Sequence, residues 1–329
     1  MKILKDTHGR IISYMRISVT DRCNMRCKYC VPGNGFQAIS HADILSYEEI
    51  LKIVRLASGL GVNKFRITGG EPLVRKGIIK LIGDINSIEG VETTFTTNGL
   101  LLEEYAGELK AAGVKRLNIS IDSMREDRFR DITGGGSLDK VMRGIEKAYS
   151  VGFNPIKLNF VVMKGVNDDE LLDYIGMVKL RPYHARFIEF MPVGDNDWGR
   201  EKFIPSGDIE KMVSDMLPLR PDALTEKGSP SRNYNIDGYA GMVGFISPVS
   251  RHFCDSCNRI RLTSDGHIKS CLLRKGEVDI KSAMRNGADD EEIRSLISSA
   301  VMLKPSGHLL DEGEPESDGR SLPMTQIGG

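Results

Sequence analysis

Between Ile11 and Met191 six strand patterns alternate with helix patterns. Strands are expected at Ile11–Val19, Val62–Thr68, Glu92–Thr97, Arg116–Asp122, Ile156–Met163 and Ala185–Met191. Helices are expected at Tyr47–Ser58, Val74–Ile85, Leu101–Ala112, Leu138–Ser150 and Asp168–Lys179. Ser46 suits the N-cap of the first helix, with Glu49 as its capping-box partner. Such alternation places a parallel sheet under helices. A closed eight-unit barrel needs more chain than this, so the fold class is α/β, a partial (βα)6 TIM-type barrel. A doubly wound sheet would carry a glycine-rich phosphate turn after its first strand, where this chain carries cysteines.

One face of most strands is polar: Arg16 and Ser18, then Arg66 and Thr68, Asn118 with Ser120 and Asp122, Lys157 and Asn159. A packed barrel interior is instead bulky and branched. Pairing with Asp122 or Glu189 would neutralise any one inward cation. Three cations on separate strands describe a cavity for a strongly anionic ligand such as a polyphosphate.

The first strand runs into Cys23, Cys27 and Cys30, spaced C-x3-C-x2-C. Three thiolates at this spacing can hold three corners of a cubane iron–sulfur cluster and leave its fourth iron open to a small molecule. Structural zinc wants four ligands, and no fourth Cys or His follows within reach. A disulfide would leave one thiol over.

From Trp198 the alternation stops. A helix from Ser206 to about Met216, a loop at Glu226–Pro230, and strands at Tyr239–Ile246 and Arg259–Thr263 are expected. Asp265-Gly266 then turns the chain back through His267 to Cys271. This smaller, mostly antiparallel α+β piece is expected to close the open side of the barrel. Residues 1–197 thus form the barrel, 198–310 the second domain and 311–329 a tail; Met1–Asp6 is a loose lead-in. The second domain carries another trio, Cys254, Cys257 and Cys271. With His252 or His267 it makes a Cys3His zinc site; alone it makes a second open cubane. Arg259 and Arg261 share one strand face beside it, which suits substrate binding better than structural zinc. Trp198 and His184 read as structural residues.

Six cysteines in two groups of three suit metal sites in a reducing cytoplasm, not a disulfide scaffold. A formal net charge of zero gives no sign of a general nucleic-acid or membrane-surface binder. No apolar run approaches a membrane span.

The first cysteine motif, with Tyr29 before its last cysteine, resembles the radical SAM superfamily, as does Gly69-Gly70-Glu71-Pro72 at the second strand end. Five longer stretches are similar to the GTP 3′,8-cyclase family of molybdenum cofactor biosynthesis. They are Asp21 to Asn24, Arg66 to Leu73, Thr96 to Gly99, Phe187 to Pro192, and Phe253 to Gly266 with Cys271-Leu272. The closing Gly328-Gly329 is similar too, and together these matches reach across nearly the whole chain.

The resemblance implies two [4Fe-4S] clusters, on Cys23, Cys27 and Cys30 and on Cys254, Cys257 and Cys271. It implies S-adenosylmethionine on the first, contacted by Tyr29, Gly70, Ser120 and Met191. It implies GTP on the second, contacted by Arg16, Arg66, Thr97, Lys157 and Arg259-Ile260-Arg261. The implied reaction removes hydrogen from ribose C3′ and joins C3′ to guanine C8, giving 3′,8-cyclo-7,8-dihydro-GTP. No catalytic side chain beyond the cluster ligands is implied. Bottom-up, a polar tail frays; the resemblance instead sends Gly328 and Gly329 into the active site. It implies an electron donor and a downstream cyclic pyranopterin monophosphate synthase as product acceptor, and it is compatible with a homodimer. Two rival readings are another radical SAM enzyme with an auxiliary cluster and a barrel carrying a structural zinc ribbon.

Overall fold

In the computed structural model, which describes residues 3–31, 38–192, 198–223, 229–274, 276–307 and 324–328, six strands lie side by side in chain order. They are β1 (Tyr14–Ser18), β2 (Lys64–Thr68), β3 (Glu92–Thr97), β4 (Arg116–Ser120), β5 (Ile156–Val162) and β6 (His184–Glu189), all parallel. Their outward side chains, among them Met15, Ile17, Phe65, Ile67, Leu158 and Phe160, are fully buried. Helices α1 (Tyr47–Gly59), α2 (Ile78–Asn86), α3 (Leu102–Ala111), α4 (Glu126–Thr133), α5 (Leu138–Ser150) and α6 (Leu171–Gly176) connect the strands. The α1 cap is the one expected: Ser46 Oγ accepts the Glu49 amide at 3.1 Å, and the Glu49 carboxylate accepts the Ser46 amide at 2.7 Å.

Several element bounds differ from expectation. Pro72–Val74 forms a 3-10 turn, and α2 starts only at Ile78. α4 is unanticipated, because it buries only Phe129, Ile132 and Thr133 and is too short to show a period. It is anchored by Arg128, whose Nη1 reaches the buried Glu170 at 2.6 Å.

The second half of the chain adds α7 (Ser206–Ser214), β7 (Leu219–Pro221), β8 (Ser231–Ile236), β9 (Met242–Ile246), β10 (Arg259–Leu262), β11 (His267–Lys269), β12 (Glu277–Asp279), α8 (Ile280–Arg285) and α9 (Asp290–Met302). Among the described residues it makes no sheet of its own. β9 pairs parallel with β6, and β10 pairs parallel with β1. β8 and β7 continue antiparallel beyond β9, as β11 and β12 do beyond β10. The result is one twelve-stranded sheet, with both edges of the (βα)6 unit paired by later chain.

The lead-in from residue 3 is tied down where a loose one was expected, and residues 324–328 dock as the resemblance implied. Leu4 is buried, its amide donates to Leu60 at 3.2 Å, and Lys5 bridges Ile11. The apolar Leu4 and the enclosed Asp6 hold down this lead-in, a pairing too short to show as a strand pattern. Near the other end, α10 (Met324–Ile327) docks against β1, with the Gln326 carbonyl accepting the Ser264 amide at 3.2 Å. Gly329 lies outside the described residues.

Candidate functional site

A cavity of about 420 Å³ occupies the sheet interior, and its walls are the polar strand faces. The register shows why its charge is so concentrated. Arg261, Arg16 and Arg66 are direct partners across β10, β1 and β2. One step toward the strand starts, Arg259, Tyr14 and Lys64 form a second row. Lys157 and Arg186 project from β5 and β6. Like charges set side by side repel one another, and an anion in the cavity would relieve that repulsion.

The expected internal neutralisation is not what occurs. Asp122 accepts the Tyr29 hydroxyl at 2.5 Å and the Val161 amide at 3.0 Å. Glu189 accepts the Ser206 amide at 2.6 Å, the Val249 amide at 2.9 Å and the Ser250 amide at 3.0 Å. Both carboxylates serve backbone and hydroxyl donors. Arg66 is steadied by Thr94 at 3.2 Å and by Asn118 with its amide oxygen turned toward it.

The cationic rows shift one another's acidity. Burial, then Arg186, Arg116 and other nearby cations push Lys157 down to about 7. Burial also lowers Arg16 to about 10, with Arg66 and Arg259 adding to it. At Tyr14 burial pushes up, but Arg66, Arg16, Arg259 and Lys64 together prevail and bring the phenol down to about 8.

Topology puts the two cysteine trios at opposite ends of the cavity. Cys23, Cys27 and Cys30 follow the C-terminal end of β1 and line the cavity. Cys254 and Cys257 precede β10, which runs parallel to β1, so they lie toward the strand starts. β11 runs antiparallel and returns Cys271 to that same end. These three are half-buried, and their neighbours Phe253, Asn258 and Leu272 line the cavity.

Gly69-Gly70-Glu71 is laced onto the first cysteine loop. The Gly70 amide donates to Thr20 at 2.8 Å and the Glu71 amide to Arg22 at 2.9 Å. A Cβ on Gly70 would run into the Arg22 carbonyl, so only glycine permits this approach. Glu71 is fully buried, which raises its carboxyl to about 7 despite the Asn98 and Leu73 amides and the Thr97 hydroxyl it accepts.

Most of the residues named from sequence meet at this cavity: Tyr29, Gly70, Ser120 and Met191 near the first trio, and Arg16, Arg66, Thr97, Lys157, Arg259 and Arg261 in the walls. Two differ in detail. The Ile260 side chain is fully buried in the hydrophobic core, opposite Met15, and does not face the cavity. Thr97 commits its hydroxyl to Glu71 at 2.9 Å. Sequence reasoning missed Tyr14, Lys64, Arg116 and Arg186 in the lining. Tyr14, Lys64 and Arg116 each lie two residues before a recognised inward position, so period two was the available signal. Trp198, read as structural, packs 6.3 Å from the Tyr29 ring beside Ile132, Met163 and Phe190.

The tail enters the same space. Thr325 lines the cavity, and the Gly328 carbonyl accepts Arg261 Nη1. Gly328 holds a φ of 78°, and a Cβ there would strike Thr68.

Residues 17–178 match the Radical SAM superfamily, and residues 183–310 match the Molybdenum Cofactor Synthesis C family. The chain is 46% identical over 328 residues to the GTP 3′,8-cyclase of Alkaliphilus metalliredigens, covering 99% of this chain and 100% of that one. The chain belongs to the GTP 3′,8-cyclase family. Another cyclase of the family, from Moorella thermoacetica, is 43% identical over 329 residues, covering 99% and 100%. Among solved structures, Streptococcus suis SuiB shares the fold, with a TM-score of 0.61 at 16% identity over 95% of this chain and 78% of that one.

The cysteine trios fit the clusters that the family implies. None of the six cysteines is in a disulfide. A cubane gives each thiolate of a trio its own iron. Around Cys23, the Met25 amide at 3.4 Å and Asn98 Nδ2 at 3.6 Å already aim donors at sulfur. Burial pushes the Cys30 thiol up to about 12, with the Cys23 and Asp122 charges adding to it. At Cys257 burial also raises, but Arg259 and Lys304 outweigh it and bring the thiol to about 7.

Proposed function

We propose that this chain is a radical SAM GTP 3′,8-cyclase, converting GTP to 3′,8-cyclo-7,8-dihydro-GTP for molybdenum cofactor biosynthesis. The observation that carries the reading is the cationic ladder between two cysteine trios at opposite ends of one cavity. Full-length identity to curated cyclases supports it. Cys23, Cys27 and Cys30 hold one [4Fe-4S] cluster; Cys254, Cys257 and Cys271 hold the other. Bound S-adenosylmethionine supplies the hydrogen-abstracting chemistry there.

This chain's side chains do the rest. Tyr29, Gly70, Ser120 and Met191 seat S-adenosylmethionine beside the first trio. Arg16, Arg66, Lys157, Arg259 and Arg261 hold the triphosphate by charge-assisted hydrogen bonds. Thr97 takes part through the Glu71 network, and Ile260 through its backbone. Fixing both ends of the nucleotide supplies near-attack geometry for ring closure. Gly328 reaches into the cavity, with Arg261 as its anchor. Residues 1–197 act as the barrel, 198–310 as the auxiliary-cluster unit and 311–329 as the tail. The reading places the enzyme in the cytoplasm, fed by an electron donor and passing product to cyclic pyranopterin monophosphate synthase; a homodimer is compatible with it. No helix among the described residues is long and apolar enough to cross a membrane.

The test is metal analysis with GTP binding after anaerobic reconstitution, on wild type and the Cys254→Ser/Cys257→Ser/Cys271→Ser chain. About eight irons falling to about four, with GTP binding lost, supports two open cubanes. About four irons plus zinc in wild type, without GTP binding, rejects the cyclase.

A further inference from the structure

The second cysteine trio sits on segments separated in sequence, and two enclosed cations tie those segments together. Arg10 Nη1 donates to the Cys254 carbonyl at 2.7 Å. The same guanidinium reaches the Pro305 carbonyl at 2.6 Å and the Ser306 carbonyl at 3.3 Å. Its Nε is held by Asp6 at 2.5 Å, and the other Asp6 oxygen accepts the His8 and Arg10 amides, each at 2.9 Å. Lys304 is 4% exposed. Its Nζ donates to the Arg259 and Ser270 carbonyls, both at 2.8 Å. Arg259 lies two residues after Cys257, and Ser270 immediately precedes Cys271.

The turn that follows α9, from Lys304 to Ser306, is therefore the common junction of all three cysteine-bearing segments. An enclosed lysine ordinarily seeks a carboxylate. This one directs its charge onto two backbone carbonyls beside the trio. Ligand sets that must be ordered before metal binds normally acquire that order from the metal itself. Here hydrogen bonds from two side chains to backbone carbonyls already link the three ligand-bearing segments.

We propose that Arg10 and Lys304 form a two-cation clamp that holds Cys254, Cys257 and Cys271 ready for a cluster and raises that cluster's reduction potential. The second effect follows from charge: a nearby cation favours the more negative, reduced cluster. The clamp rests on the reading of this trio as a cluster site, and the experiment separates the two.

Wild type, Lys304→Met, Arg10→Gln and Arg10→Lys are reconstituted as full chains without oxygen. Iron content, the rate of iron loss to a chelator and a redox titration followed by electron paramagnetic resonance are then measured. The Cys254→Ser/Cys257→Ser/Cys271→Ser chain, carrying only the first set of irons, supplies the baseline. Lys304→Met and Arg10→Gln are expected to release the second set on the order of tenfold to a hundredfold faster. Arg10→Lys, which keeps the charge, is expected to fall between them and wild type. The first set and the reductive cleavage of S-adenosylmethionine stay at wild-type values, which reports a folded barrel. In Lys304→Met the midpoint potential of the second cluster falls. Release at the wild-type rate with an unmoved potential in both charge-removing variants overturns the clamp. A wild type with only about four irons overturns the cluster reading beneath it.

Discussion

Lys157 has the clearest pH signature of any residue in the cavity. In the folded chain it titrates at about 7, because burial and its cationic neighbours disfavour its charge. In an unfolded chain a lysine keeps its proton to about 10.4. Between these values the unfolded state binds more protons, so stability rises with pH across that window. Lys157→Met should make this rise shallower, as thermal melts from pH 7 to 9 would show. Triphosphate reverses the preference, since an anion favours the charged lysine. GTP binding at pH 8 should therefore take up protons and weaken as pH rises. Tyr14, titrating at about 8, adds uptake of the same sign. Calorimetry in two buffers of different ionisation heat checks this. Lys157→Met should take up fewer protons and bind GTP about tenfold to a hundredfold more weakly, from loss of an interaction worth about 1.5–3 kcal/mol. Unchanged uptake in the variant would place the proton elsewhere.

At the scale of elements, α10 is the piece whose role depends most on one atom. The space between Thr68, Ser18 and Arg261 admits a glycine at position 328 and no side chain. Gly328→Ala adds a methyl against Thr68 and forces the left-handed backbone on a residue that resists it. Overpacking of this kind costs about 1–3 kcal/mol. The docked tail should release, α10 should become sensitive to protease, and turnover should fall about tenfold or more. Retained protection and full turnover in Gly328→Ala would make the docking incidental.

Over the whole molecule, the pairing of β9 with β6 and of β10 with β1 means that the barrel unit has no finished edge of its own. A fragment of residues 1–197 would expose both edges and lose Arg259, Arg261 and the second trio. Unpaired edges recruit other chains, so the fragment should aggregate on expression and fail to bind GTP. A monomeric, cooperatively melting fragment would show that the (βα)6 unit folds without the strands that complete its edges.

Strand alternation, both cysteine trios and the inward polar faces were legible in the sequence, because each is a local pattern. Period two tells which side of a strand faces in, and motif spacing reports ligands a few residues apart. Arg16, Arg66 and Lys157 were placed correctly for that reason. What depends on contacts across hundreds of residues was not legible. Nothing near Cys257 announces that β10 lies against β1 and so carries its trio to the far end of the cavity. Nothing near Asp6 or Lys304 announces that the N-terminal lead-in and the turn after α9 meet beside that trio. The alternative weighed for single cations, pairing with Asp122 or Glu189, fell on the same ground: a buried carboxylate satisfies the nearest donors, and those came from Tyr29, Ser206 and Val249. Chemistry was written in side-chain identity and spacing; the distances between its parts came from strand pairing, which the chain settles only when it folds.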